Sequence, residues 1–196
     1  MKPTPTKSHY LFNLRDLSRV IQGIQMLSNF EQGSANKLIR MWVHEIARVF
    51  SDRLISYGDQ QRLFQQLFVS ARAKLPENFS LALKSIIPEE DPMRETEDIN
   101  PEEDFRTMTD WITFTDILDK EESSRDLRSY DEVNWSDHTT LVASINDLLE
   151  EYNAINQKPM PLVLFDYAVL HFLRICRILR MSRGNCLLIG VGGSGR

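Results

Sequence analysis

After a polar lead-in, Met1 to Lys7, the stretch HYLFNLRDLSRVIQGIQML places Leu14, Leu17, Ile21, Ile24 and Met26–Leu27 at helical spacing. Asn13 is a good N-cap for that helix, and Asp16 three residues on suits its positive end. Gly33 and Ser34 interrupt the pattern. Leu38, Trp42, Ile46, Val49–Phe50 and Leu54 then predict a second amphipathic helix, stopped by Gly58. Asp59 can cap a third, with Leu63, Phe64, Leu67 and Phe68 inward. Three such helices can bury their apolar faces against one another.

The pattern breaks at Pro88. PEEDPMRETEDINPEEDF carries nine acidic residues and one arginine, the composition of a solvated connector. Trp111 to Leu118, WITFTDIL, is an apolar island expected to dock back on the helices. Leu141, Ile145, Leu148 and Leu149 mark a further amphipathic helix up to Tyr152. From Pro161, a residue suited to a first helical turn, Leu162 to Met181 is apolar over most of its circumference and is expected to be largely buried. Arg174, Arg177 and Arg180 fall near its C-terminal end, where the helix dipole favours cations; contacts to phosphate or carboxylate are the alternative. Gly184 ends this helix, and CLLIG (Cys186 to Gly190) reads as a short buried strand.

The fold class expected is therefore mainly α, with one strand at the C-terminal edge. The 196 residues, 42% hydrophobic and 26% charged, are ordinary globular composition. A net charge of −5 offers no global attraction to nucleic acid or anionic membrane. The apolar stretch Leu162 to Leu173, interrupted by Asp166 and His171, is too short to span a bilayer, which needs about 20 apolar residues. Cys176 and Cys186 both lie in apolar surroundings and read as buried, reduced thiols. His9, His44, His138 and His171 are too scattered for metal-ligand spacing. No catalytic residue is assigned, and His44–Glu45 reads as a packed pair.

Four of the eight glycines lie between Gly190 and Gly195. A strand followed by GVGGSGR fits two templates. The phosphate-loop pattern aligns Gly190, Gly195 and Arg196, and the dinucleotide pattern aligns Gly190, Gly192 and Gly195. Both use glycine to bring backbone N–H groups close to phosphate oxygens. The candidate nucleotide-binding residues are Gly190, Val191, Gly192, Gly193, Ser194, Gly195 and Arg196. Arginine stands where the phosphate-loop lysine would, and the Ser/Thr that holds the metal is not in the sequence. A strand and loop without sheet partners cannot satisfy their backbone. The loop is accordingly expected to be poorly fixed, nucleotide affinity weak and ATPase activity absent in this chain alone, as in a piece of something larger.

HYLFNLRDLSRV, LIRMWVHEIARVFSDRLI and LVLFDYAVLHFLRICRILRMSRGNCLLIGVGGSGR together resemble dynein heavy chain of the axonemal, ciliary and flagellar type. The likeness touches nearly the whole chain and is weakest over the acidic connector. Such heavy chains carry six AAA+ modules. The first two stretches are similar to the helical lid of the third, and the last to the opening helix, strand and phosphate loop of the fourth. The resemblance implies residues 1–87 as lid, 88–160 as acidic connector with short helices, and 161–196 as the start of the next module. It implies a microtubule motor driven by ATP, with ADP as product and Mg2+ as cofactor. The rest of the AAA+ ring and the intermediate and light chains are the implied partners, in the cytoplasm and the ciliary axoneme. Arg15 matches the lid arginine that touches nucleotide phosphate, with Arg19, one turn on, as the alternative. A non-catalytic helical interaction protein is the competing function.

Overall fold

The computed structural model describes residues 2–27, 35–75, 79, 82–83, 112–119, 128–135 and 138–190. The elements run α1 (Leu14–Ile24), α2 (Ala35–Ile46), a π-helical turn (Ala47–Ser51), α3 (Tyr57–Lys74), β1 (Phe114–Thr115), β2 (Asp131–Glu132), α4 (Thr139–Ile155) and α5 (Asp166–Arg180). The mainly helical class expected from the periodicity is what forms. The acidic stretch Pro88 to Phe105, Gly33 and Ser34, and residues 191–196 of the glycine-rich loop lie outside the described residues.

The start of α1 follows its sequence. The Asn13 side chain accepts from the Arg15 N–H, and the Asp16 carboxylate accepts from the Asn13 N–H at 2.9 Å. This reciprocal capping box satisfies helix-end donors that would otherwise lack partners. The rotation of α1 does not follow its apolar stripe. Asp16, Val20 and Gly23 face inward, while Leu14, Leu17 and Ile21 are exposed, Leu14 at 83%. Two polar features set that rotation: an Arg53–Asp16 ion pair at 2.8 Å, and a close approach at Gly23.

α2 is the central helix, with Ile39, Met41, Val43, His44 and Glu45 all buried. Where the pattern predicted one continuous helix to Leu54, the backbone widens into the π-helical turn, and the Asp52 N–H bonds the Ala47 carbonyl at 3.0 Å. α3 begins at Tyr57, so Gly58 lies inside its first turn rather than stopping α2. Asp59 does not cap α3; its carboxylate takes Lys7 and the Tyr10 hydroxyl, pinning the N-terminal lead-in. Phe64 and Phe68 point inward as the periodicity required.

Two hydrophobic clusters result. The first joins α2 and α3 with Phe79, Leu83, Ile112, Phe114 and Tyr130. The second joins Ile117, Val133 and Trp135 with Leu141 and Ile145 of α4 and Val169 and Leu173 of α5. The island Ile112–Ile117 thus threads both clusters, which is how it docks. β1 and β2 pair antiparallel, Phe114 opposite Glu132 and Thr115 opposite Asp131. The β2 carboxylates clip this ribbon to α2. Arg40 forks onto Glu132 at 2.6 and 2.7 Å, and Lys37 meets Asp131 at 2.6 Å.

The C-terminal expectations need three corrections. α5 starts at Asp166, not Pro161, and Leu162, Val163 and Phe165 are exposed ahead of it. Only Val169, Leu173 and Arg177 of α5 are buried; Leu170, Phe172 and Cys176 are half-buried against the second cluster, and Tyr167 and Leu179 are exposed. CLLIG forms no strand and is not buried. Leu187, Leu188 and Ile189 are 83%, 62% and 84% exposed, because no described strand lies alongside to pair with it. For the same reason Cys186 is exposed and Cys176 half-buried, so only one of the two thiols is even partly shielded.

Candidate functional site

α2 and α5, far apart along the chain, are joined by a buried ion pair. Arg177 Nε donates to Glu45 Oε1 at 2.9 Å, and Arg177 Nη2 donates to Glu45 Oε2, a forked pair between residues 132 positions apart. The Glu45 side chain is fully buried and that of Arg177 is 7% exposed. A carboxylate so placed needs space as well as charge. Gly23 of α1 supplies the space, since a Cβ there would fall inside the Glu45 carboxyl group. Three helices therefore meet at one ion pair.

His44 lies beside it but is not an ionic partner. Burial, reinforced by the charges of Arg48 and Arg177, holds its pKa well below the ordinary imidazole value. The neutral ring donates from Nδ1 to the Ile112 carbonyl at 2.8 Å, fastening the apolar island to α2. With the proton on Nδ1, Nε2 is an acceptor facing Glu45 Oε1 at 3.8 Å, too far for a hydrogen bond. The packed pair expected from the sequence is what forms, with Glu45 turned to Arg177 instead of His44.

The other α5 arginines also reach carboxylates. Arg180 meets Asp116 at 2.9 Å, donates to the Arg128 carbonyl at 2.7 Å and lies over the Tyr130 ring at 5.3 Å. Arg174 comes within 4.0 Å of Asp52, which also receives Arg48 at 3.5 Å. Arg177 and Arg180 do lie in the last turn of α5, as the dipole reading expects, and the carboxylate contacts given as the alternative form as well. Spacing by three put them near a helix end, and the chain folds so that carboxylates from α2, from Asp52 just after the π-helical turn and from Asp116 just after β1 lie opposite. No local pattern signals those partners; the arginine spacing was the one available clue.

The nucleotide candidates fall apart spatially. Arg15 is exposed, with its backbone N–H held by the cap. Arg19 lines a cleft between α1 and the end of α5. Gly190 is described and partly exposed, whereas Val191, Gly192, Gly193, Ser194, Gly195 and Arg196 lie outside the described residues. Among the described residues no group of three or more His, Cys, Asp or Glu side chains converges on a metal position. No described helix is long and apolar enough to cross a membrane.

Residues 3–62 match the family described as dynein heavy chain, ATPase lid domain, and residues 160–196 match the P-loop containing dynein motor region D4. The chain is 39% identical over 194 residues to dynein axonemal heavy chain 3 of Mus musculus and of Homo sapiens, spanning 99% of this chain and 4% of each relative. Identity is also 39% over 194 residues to dynein axonemal heavy chain 12 of Homo sapiens, covering 6% of that protein. Glu45 lies in the lid match and Arg177 in the motor-region match, so the buried ion pair joins the two. The chain belongs to the dynein heavy chain family, of the axonemal type, and carries the stretch that leads from an ATPase lid into motor region D4.

Proposed function

We propose that this stretch is a mechanical joint within an ATP-driven microtubule motor of cilia and flagella. In this reading residues 1–87 are the lid of one AAA+ module, 88–160 the connector and 161–196 the start of the next. The lid contacts nucleotide bound by its own module through Arg15, with Arg19 as the alternative. The glycine-rich loop from Gly190 to Arg196 takes ATP or ADP phosphates of the next. Its backbone N–H groups would hold the oxygens, and Arg196 would supply charge in place of lysine. Mg2+ would accompany those phosphates. The rest of the ring, microtubules, and intermediate and light chains are the partners, at the axoneme; nucleic acid and membrane are not.

The observation that carries this reading is the forked Arg177–Glu45 bond. A buried ion pair resists separation because either charge left alone in the interior is strongly disfavoured. A change of lid angle would therefore drag α5, and with it the turn leading to Gly190. Nucleotide occupancy at one site would be passed to the next as rigid-body motion. The experiment is Arg15→Ala in a complete heavy chain carrying this stretch. Nucleotide response at the lid's own site should weaken, and microtubule gliding should slow. Unchanged ATP affinity together with unchanged gliding would remove the proposed lid contact.

A further inference from the structure

A cleft of about 380 Å³ opens where α1 and the π-helical turn face the C-terminal end of α5. Six arginines line it: Arg19, Arg48 and Arg53 on one side, and Arg174, Arg177 and Arg183 on the other. Asp52 is the one carboxylate in the described lining. Asp16 and Glu45 stand behind it, already engaged by Arg53 and Arg177. Arginine therefore outnumbers carboxylate here in a chain whose overall charge is negative. Two imidazoles register the same field. After burial itself, Arg48 and Arg177 lower the pKa of His44, and Arg174 lowers that of His171.

The rim is also fixed in shape. Arg183 sits at φ 57, in the left-handed region that a non-glycine residue adopts only at a cost. Gly184 follows with its N–H on the Met181 carbonyl at 2.8 Å, and a Cβ there would strike the Ile178 carbonyl. The turn from α5 toward Gly190 is thereby set, with Arg183 at the cleft. The volume lies within the range of small-ligand pockets. The described lining holds no aromatic ring on which a base could stack. Recognition would rest on guanidinium forks, which match the oxygens of a tetrahedral dianion.

We propose that this cleft binds a phosphate-type dianion, either free phosphate or the phosphate end of a nucleotide, between α1 and the turn that leads to Gly190. A dianion there would bridge the two walls across their shared positive charge and hold α1 against α5. Arg15 does not line the cleft, so the inference is separate from the Arg15 contact, and it shares Arg19 with the alternative lid contact.

The test is calorimetric titration of inorganic phosphate, pyrophosphate and ADP, each separately, into the full natural polypeptide that carries this sequence. The variants are Arg183→Gln and Arg19→Gln/Arg183→Gln; Arg19 and Arg183 are exposed, and circular dichroism checks their folding. Saturable phosphate binding should weaken about threefold in the single Arg183 variant and about tenfold in the double variant, the size expected for losing one and two solvent-exposed charge contacts. Phosphate binding that ADP displaces assigns the site to nucleotide phosphates, and binding that ADP leaves intact assigns it to the free anion. Absence of saturable binding, or affinity equal in the double variant and the parent, overturns the proposal.

Discussion

The Arg177 guanidinium grips the Glu45 carboxylate through two hydrogen bonds, inside the protein, across 132 residues of chain. The glutamate side chain has no exposed surface. Such a pair is weak evidence for net stability, since desolvating both ions offsets much of their attraction. It is strong evidence for specificity of docking, because a mismatch strands a charge.

Breaking the pair from one side should therefore be costly. Glu45→Gln and Arg177→Met are each expected to destabilise the chain by about 3–5 kcal/mol. The double variant should recover much of that loss, since neither charge is then left alone. Denaturant unfolding of all four proteins gives the coupling energy directly. Additive single effects would show that the pair does not hold the joint.

Gly23→Ala should behave as if it struck Glu45. The new methyl must push the carboxyl away from Arg177, and overpacking of this kind costs about 1–3 kcal/mol. In a Glu45→Ala background the same substitution should be close to neutral, because the side chain it strikes is gone. Thermal unfolding of the two single variants and the double variant separates this contact from any loss of glycine flexibility.

Acid should loosen the fold in two stages. The folded-state pKa of His44 is depressed, chiefly by burial. An unfolded chain takes up that proton near pH 6.5 while the native protein refuses it. Stability present above about pH 6.5 thus falls as pH drops, by up to about 1.4 kcal/mol per pH unit until the folded pKa is reached. Asp16 follows lower down. Its hydrogen bond from Arg53 holds its carboxyl below the ordinary value of 3.8, so its contribution is present above that value and lost below it. Denaturant midpoints from pH 7.5 to 3 should show the first decline vanish in His44→Gln. Persistence of the decline in that variant would place its origin elsewhere.

The cap of α1 gives a smaller, local effect. Asn13→Ala removes the acceptor for the Arg15 N–H and one half of the capping box. It should cost about 1 kcal/mol. Amide exchange should quicken in the first turn of α1 while the Tyr57–Lys74 helix is unaffected. Equal exchange throughout would show that α1 opens only with the whole domain.

What could be read beforehand was whatever depends on neighbours in the chain. Asn13 and Asp16 announced the start of α1, since a capping box spans four residues. Phe64 and Phe68 announced the inner face of α3, since they lie one turn apart. The glycine-rich GVGGSGR, the lid-like helices and their order pointed to the dynein heavy chain family. Local rules failed where a distant partner decided. The stripe Leu14, Leu17 and Ile21 is a sound amphipathic pattern, yet α1 turns its Val20–Gly23 edge inward because Glu45 and Arg53 wait there. CLLIG has the composition of a buried strand and is neither buried nor paired, because a strand is completed by its neighbours.

The sequence by itself determined the helices, their caps, the acidic break after Pro88 and the family. These follow from periodicity, from short-range hydrogen bonding and from motifs a few residues long. Only the tertiary structure decided which carboxylate each α5 arginine meets, which face of α1 is covered and where positive charge collects into a cleft. Coulomb attraction acts through space and has no period along the chain. Arg177 and Glu45 therefore carried no mark of one another until folding removed the water between them.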